Sequence, residues 1–174
     1  MSKVKCQRSV VNCRQKGSIL LEALIAIMVL SFAFTVILDV GTLSVKTSTS
    51  IQKNSQANFL LKEEMEAART YRDGTTWTSA TNPIGLGTVN TGSDNPYYFV
   101  LDTGVNPNKW VLTSGTETIG IFTRRIVFDQ VYRDSNSNIV SSGGTLDNNT
   151  KKVTATVSWP EKTLNLMTYL TNWK

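Results

Sequence analysis

The chain contains no histidine. That excludes a Ser-His-Asp triad, a histidine-paired cysteine nucleophile and any zinc site built on imidazole. Cysteine is nearly as scarce: Cys6 and Cys13 both fall within the first seventeen residues, leaving no thiol further on for a disulfide or a thiolate site. Proline is absent before Pro83, and Gly41 is the only glycine between Ser18 and Asp73. A single helix can therefore run from Ser18 to about Arg72. Charged residues are also few, 18% of the 174 positions against 40% apolar, so a packed core is attainable and global disorder is not expected. The length suits one domain with an appendage.

The net charge of +5 suggests a nucleic-acid binder until its distribution is examined. Lys3, Lys5, Arg8, Arg14 and Lys16 carry all of it ahead of Gly17, with no acidic residue among them. The other 13 basic residues balance the 13 acidic ones. A neutral body with a basic tip has no phosphate-tracking face, so no specific nucleic-acid partner is expected.

Behind the basic tip lies the twenty-residue run Ile19–Leu38, interrupted only by Glu22, Ser31 and Thr35. As a helix it is about 30 Å long, the thickness of a bilayer core. It has no polar face, which argues for a membrane helix over a buried core helix. The basic flank places the N-terminus in the cytoplasm and the rest of the chain outside. A cleaved secretory signal has a shorter apolar core, of roughly 7–15 residues, followed by a small-residue cleavage site. Here cleavage after Ala33 would fall inside the run, and no cysteine follows it as a lipoprotein signal requires. A permanent anchor fits the length and leaves Glu22 unexplained. A carboxylate at the centre of a membrane helix costs about 2.5–3.5 kcal/mol, less near an end, and usually has a task.

The segment Lys16-Gly17-Ser18-Ile19-Leu20-Leu21-Glu22-Ala23-Leu24-Ile25-Ala26-Ile27 resembles the prepilin signature of type IV pilins and type II secretion pseudopilins. The Glu-Ala-Leu-Ile-Ala-Ile portion looks closest to minor pilins of the pilus-modification type. In that family a prepilin peptidase cuts after a glycine that closes a basic leader, and a glutamate stands at the fifth mature position. The resemblance implies cleavage between Gly17 and Ser18, N-methylation of Ser18 and an assembly role for Glu22. Two positions depart from the common pattern: Ser18 stands where phenylalanine is usual, and Ile19 replaces a frequent threonine. The motif covers only the start of the chain.

After Leu38 the composition turns polar, and Gly41 with Lys46-Thr47-Ser48-Thr49-Ser50 marks the expected point of local loosening. Helical spacing returns at Ala57, Leu60, Leu61, Met65 and Ala68, a stripe suited to packing on a sheet. Glu63, Glu64 and Glu66 read as a solvated helix face. Asp73-Gly74 is expected to end the helix with a left-handed glycine cap. Beyond it the chain is β-like. Residues 97–101 and 109–112 form an expected hairpin, and 119–132 a long strand or a strand pair. Val153, Ala155, Val157 and Trp159 alternate with polar residues, Pro160 breaks that strand, and Leu164 to Trp173 forms the last. All four tryptophans follow residue 74 and are expected to supply much of the core there.

These patterns predict an α+β fold. A long N-terminal helix, membrane-spanning in its first half, packs by its second half on a C-terminal antiparallel sheet, as the pilin resemblance also implies. The expected divisions are a leader over 1–17, an assembly helix over 18–40, its amphipathic extension over 41–73 and a β domain over 74–174.

Asp134, Asn136 and Asn138 are spaced as at the start of a calcium loop, and Asp147 is a candidate fourth ligand. Ile139 stands where such a loop has glycine and Thr145 where it has glutamate. Its alternative is a polar hairpin tip, for which Asp, Asn, Ser and Gly143-Gly144 are ordinary turn residues. Calcium is thus the one candidate cofactor. Arg124-Arg125 and Lys151-Lys152 read either as a basic patch or, more simply, as charges that protect strand edges. Gly85-Leu86-Gly87 reads as a loop, and no nucleophile or phosphate-loop motif occurs.

The sequence thus describes a non-enzymatic subunit of a pilus or pseudopilus. Its expected partners are other pilin subunits, the prepilin peptidase, the assembly platform and the inner membrane. The expected location is a single pass through the cytoplasmic membrane, then a filament at the cell surface, with motility, adhesion, secretion and DNA uptake all open as its use. The alternative is a permanently anchored, ligand-binding ectodomain.

Overall fold

The computed structural model describes residues 18–174 in full. The leader expected over 1–17, with Gly17 at the cleavage point, lies outside them, apart from a backbone that is helical from Lys5. Helix α1 (Lys5–Gly74) is followed by seven strands: β1 (Tyr97–Asp102), β2 (Lys109–Ser114), β3 (Glu117–Ile119), β4 (Phe122–Arg133), β5 (Ile139–Val140), β6 (Thr145–Trp159) and β7 (Lys162–Thr171). The chain divides into two compact units, residues 1–52 and residues 53–174.

Within the first unit α1 is unbroken. The loosening expected at Gly41 and Lys46–Ser50 does not occur. Thr42 and Thr49 turn their hydroxyls back onto the helix, donating to Asp39 O at 2.9 Å and to Val45 O at 3.0 Å. The modest propensity cost of these residues is too small to stop a helix with no proline or alternative partner.

The second unit packs the last turns of α1 on one antiparallel sheet of order β2-β1-β4-β6-β7, with β3 and β5 added to the ends of β4. The β1–β2 hairpin pairs Tyr97 with Ser114 through Asp102 with Lys109. The sequence segment 119–132 resolves as the strand pair β3–β4, turned at Gly120 with φ 61°. The clean alternation of β6 reflects its central place between β4 and β7. Ala57, Leu61, Met65 and Ala68 of α1 meet Phe99, Ile126, Phe128, Val153, Ala155 and Val157 of the sheet in one core. One expectation fails here. Gly74 closes the helix without a positive φ, so it is no left-handed cap. Of the tryptophans, Trp77 and Trp159 are buried and Trp110 packs against the core partly exposed, but Trp173 is 63% exposed.

Residues 75–96 cross from helix to sheet without a strand, and Trp77 pins them. Its indole N–H donates to Asn148 O at 3.0 Å, and its carbonyl accepts from Gly87 N at 2.9 Å. A Cβ at Gly85 would lie 2.2 Å from Trp77 O, and one at Gly87 2.5 Å from the indole. These glycines are required by close approach, a demand the sequence pattern did not reveal.

Candidate functional site

The exposed half of α1 is the most unusual surface of the molecule. Among the described residues one helix is long and apolar enough to cross a membrane, and none of that stretch is buried. Leu20, Leu24, Leu30, Phe32 and Ile37 are each at least two-thirds exposed, and the apolar character continues around the whole circumference. No packed protein partner within the chain accounts for this, whereas hydrocarbon or other apolar helices would. The hydroxyls inside the run need no outside partner. Ser31 donates to Ile27 O and Thr35 to Phe32 O, both at 2.8 Å. Such internal satisfaction is what a helix in a waterless medium requires. A single-pass membrane helix with a C-terminal β domain is the arrangement.

Ser18 and Glu22 lie at the start of this run, four residues apart and so on one helix face. Both are exposed, and Glu22 makes no hydrogen bond or ion pair with a described residue. It is a carboxylate on an otherwise apolar surface.

In the loop between β4 and β5, Asp134 is engaged by its own chain. Oδ1 accepts from the Asn136 and Asn138 backbone amides at 2.9 and 2.8 Å, and Oδ2 from the Asn138 side chain at 3.2 Å. Those bonds from Asn138 and Asn136 hold its pKa below the ordinary carboxylate range. Ser137, at φ 65°, supplies the turn. Asp147 is taken up elsewhere: burial raises its pKa, but Arg133 Nε at 2.7 Å, Thr150 and the Asn149 amide outweigh this and lower it. The four candidate calcium ligands therefore already have protein donors on their two carboxylates. Among the described residues no group of three or more His, Cys, Asp or Glu side chains is placed to hold a metal.

The charges of the sheet domain differ most from their sequence reading. Arg124 and Lys151 lie on the central strands β4 and β6, not at edges, and both are buried. Burial pulls the Lys151 amine below its usual range. Glu64, read as part of a solvated helix face, is 1% exposed. Arg124 reaches Glu117 Oε2 at 2.6 Å, Glu64 Oε1 at 3.0 Å and Glu63 Oε1 at 3.1 Å, and donates to Phe99 O at 3.3 Å. Burial alone would depress the pKa of Arg124, but Glu64, Glu63 and Glu117 together raise it. Burial pushes Glu64 up to about 7, opposed by Arg124 and the Phe99 main chain and reinforced by Glu117 and Glu63. Two periodicities could have located this cluster. Glu64 stands three residues after Leu61, on the apolar stripe, and Arg124 alternates with Phe122 and Ile126 on the core face of β4.

A scan against protein-family models gives no match to this chain, and searches of the curated proteins and of the solved structures give none either.

Proposed function

We propose that the chain is a minor type IV pilin or pseudopilin, a structural subunit that waits in the membrane and then joins a filament. The observation that carries this is the helical run Ile19–Leu38, apolar on all sides, continuous with the helix that packs on the sheet, and bearing Glu22 near its start. The prepilin-like residues Gly17, Ser18 and Glu22 supply the processing and assembly roles. Cleavage after Gly17 removes the basic leader and both cysteines, so folding outside needs no oxidant. The domain outside the membrane then contacts neighbouring subunits.

Assembly moves the apolar helix from lipid into a bundle of like helices, one apolar surrounding for another, so leaving the bilayer is not prohibitive. Cleavage also creates the α-amine of Ser18, whose reference pKa is about 7.7–8.0. An amine and a carboxylate in an apolar bundle are each costly alone and far less so as a pair. Glu22 of an arriving subunit recognises the Ser18 amine of a neighbour, which sets axial register and restricts assembly to processed chains. Mass spectrometry of the protein from its native membrane tests the first step. It should show loss of residues 1–17 and a methylated Ser18. A mature chain that keeps Met1 would favour the permanently anchored ectodomain.

A further inference from the structure

The last turn of α1, the loop after it and the loop end of the β1–β2 hairpin line an open cavity of about 490 Å³. Its size falls within the range of small-molecule sites, roughly 300–1,000 Å³. Trp110 forms one wall, packed against the core on one side and partly exposed on the other. Tyr71 forms another, held by its hydroxyl donating to Ile84 O at 2.8 Å. Around these aromatic surfaces stand Asp102, Asn82, Asn108 and Lys109.

The polar groups of this rim are largely unspent. Asp102 Oδ1 accepts from Gly104 N at 2.9 Å, which fixes the carboxylate and leaves Oδ2 available. The side chains of Asn82, Asn108 and Lys109 and the Trp110 indole N–H have no hydrogen bond or ion pair among the described residues. Asp102 and Lys109 are the closing register pair of the hairpin, on the face opposite Leu101 and Trp110, so opposite charges lie side by side and the rim has no net charge. That balance disfavours a phosphate or any other strongly anionic ligand. An apolar ligand would strip water from several donors and acceptors without replacing it. A sugar ring suits both features. Its C–H face covers an indole, while its hydroxyls, each donor and acceptor, match side-chain amides.

We propose that this cavity binds a saccharide, one ring against the exposed part of Trp110 and its hydroxyls on Asn108 and Asn82. The site is independent of the filament reading and would serve an anchored ectodomain equally.

The test uses the full chain in an amine-oxide detergent, which has no sugar headgroup to compete. Saturation-transfer difference NMR is recorded with the methyl glycosides of glucose, galactose and N-acetylglucosamine, with lactose and maltose, and with blocked trialanine as a peptide probe. At least one saccharide should give saturable transfer. Trp110→Ala should weaken its binding tenfold or more and Asn108→Ala several-fold, while Trp173→Ala, outside the cavity, leaves it unchanged. Because Trp110 helps pack the core, Asn108→Ala decides the matter if Trp110→Ala does not fold. Absence of saturable binding by every saccharide, binding of trialanine alone, or binding indifferent to Asn108→Ala in the folded chain would overturn the proposal.

Discussion

Arg124 Nε lies 3.0 Å from Glu64 Oε1, yet its hydrogen goes to Glu117 Oε2 at 2.6 Å, and no side chain donates a hydrogen bond to Glu64. Three carboxylates, Glu63, Glu64 and Glu117, thus compete for one buried guanidinium. The deepest of them loses most water and gains least in return. Desolvation prevails over the attraction, which is why Glu64 titrates near 7 and not in the ordinary carboxylate range.

Stability should therefore depend on pH through Glu64. Its pKa is higher in the folded state, about 7, than the ordinary 4.5 of an unfolded chain, so protonation favours folding. The contribution is fully present below pH 4.5, falls as the pH rises through 7 and is constant above that. The shift corresponds to roughly 3 kcal/mol. Glu64→Gln should remove this slope and stabilise the chain above pH 7 relative to the parent. Denaturant melts of both proteins between pH 4.5 and 8 supply the measurement; parallel curves would show that Glu64 does not titrate in this window.

The loop over residues 75–96 gives a prediction about packing. Gly85→Ala places a methyl group against the Trp77 and Thr76 carbonyls, which are backbone and do not rotate away. The cost should be about 1–3 kcal/mol, several degrees in melting temperature. Gly74→Ala, with nothing within 4 Å and no positive φ, should leave stability unchanged or raise it slightly. Thermal melts of the two variants should separate clearly.

Calcium should not stabilise the chain. The Asp134 oxygens are occupied by Asn136 and Asn138, and Asp147 by Arg133, so an added cation must displace existing donors. Melting temperature should be the same with millimolar calcium as with a chelator. A rise that Asp134→Ala abolishes would restore the calcium loop, because a ligand of the folded state stabilises it.

The parts of the fold legible in the sequence were those with a strong period. The apolar run from Ile19, the stripe from Ala57 to Ala68 and the alternation of Val153 to Trp159 each declared their element, and the 97–101 and 109–112 hairpin followed from its flanking turns. What stayed hidden depends on tertiary neighbours. Glu64 and Arg124 sit at core positions of α1 and β4, but each is charged, and composition alone assigns a charge to the surface. Burial of Arg124 is made tolerable by Glu63, Glu64 and Glu117 together, and that of Glu64 by holding its proton up to about pH 7. Gly85 and Gly87 looked like ordinary loop residues because what demands them, the Thr76 and Trp77 carbonyls for Gly85 and the Trp77 indole for Gly87, lies eight or more positions away in sequence. Gly74 failed in the opposite sense: a glycine at a helix end suggested a left-handed cap that the backbone does not adopt.

The central claim is that Glu22 serves assembly and not anchoring. Its carboxylate lies exposed on an apolar helix with no described partner, so it contributes nothing to the fold of the sheet domain. Glu22→Val should preserve membrane insertion and cleavage after Gly17, since removing a charge from the span only favours the bilayer. Immunodetection of the variant in sheared filaments against membranes is the direct measurement. The account predicts a sharp loss from filaments at undiminished membrane levels. Glu22→Val protein that enters filaments as well as the parent, or a parent protein never found in sheared filaments, would contradict it.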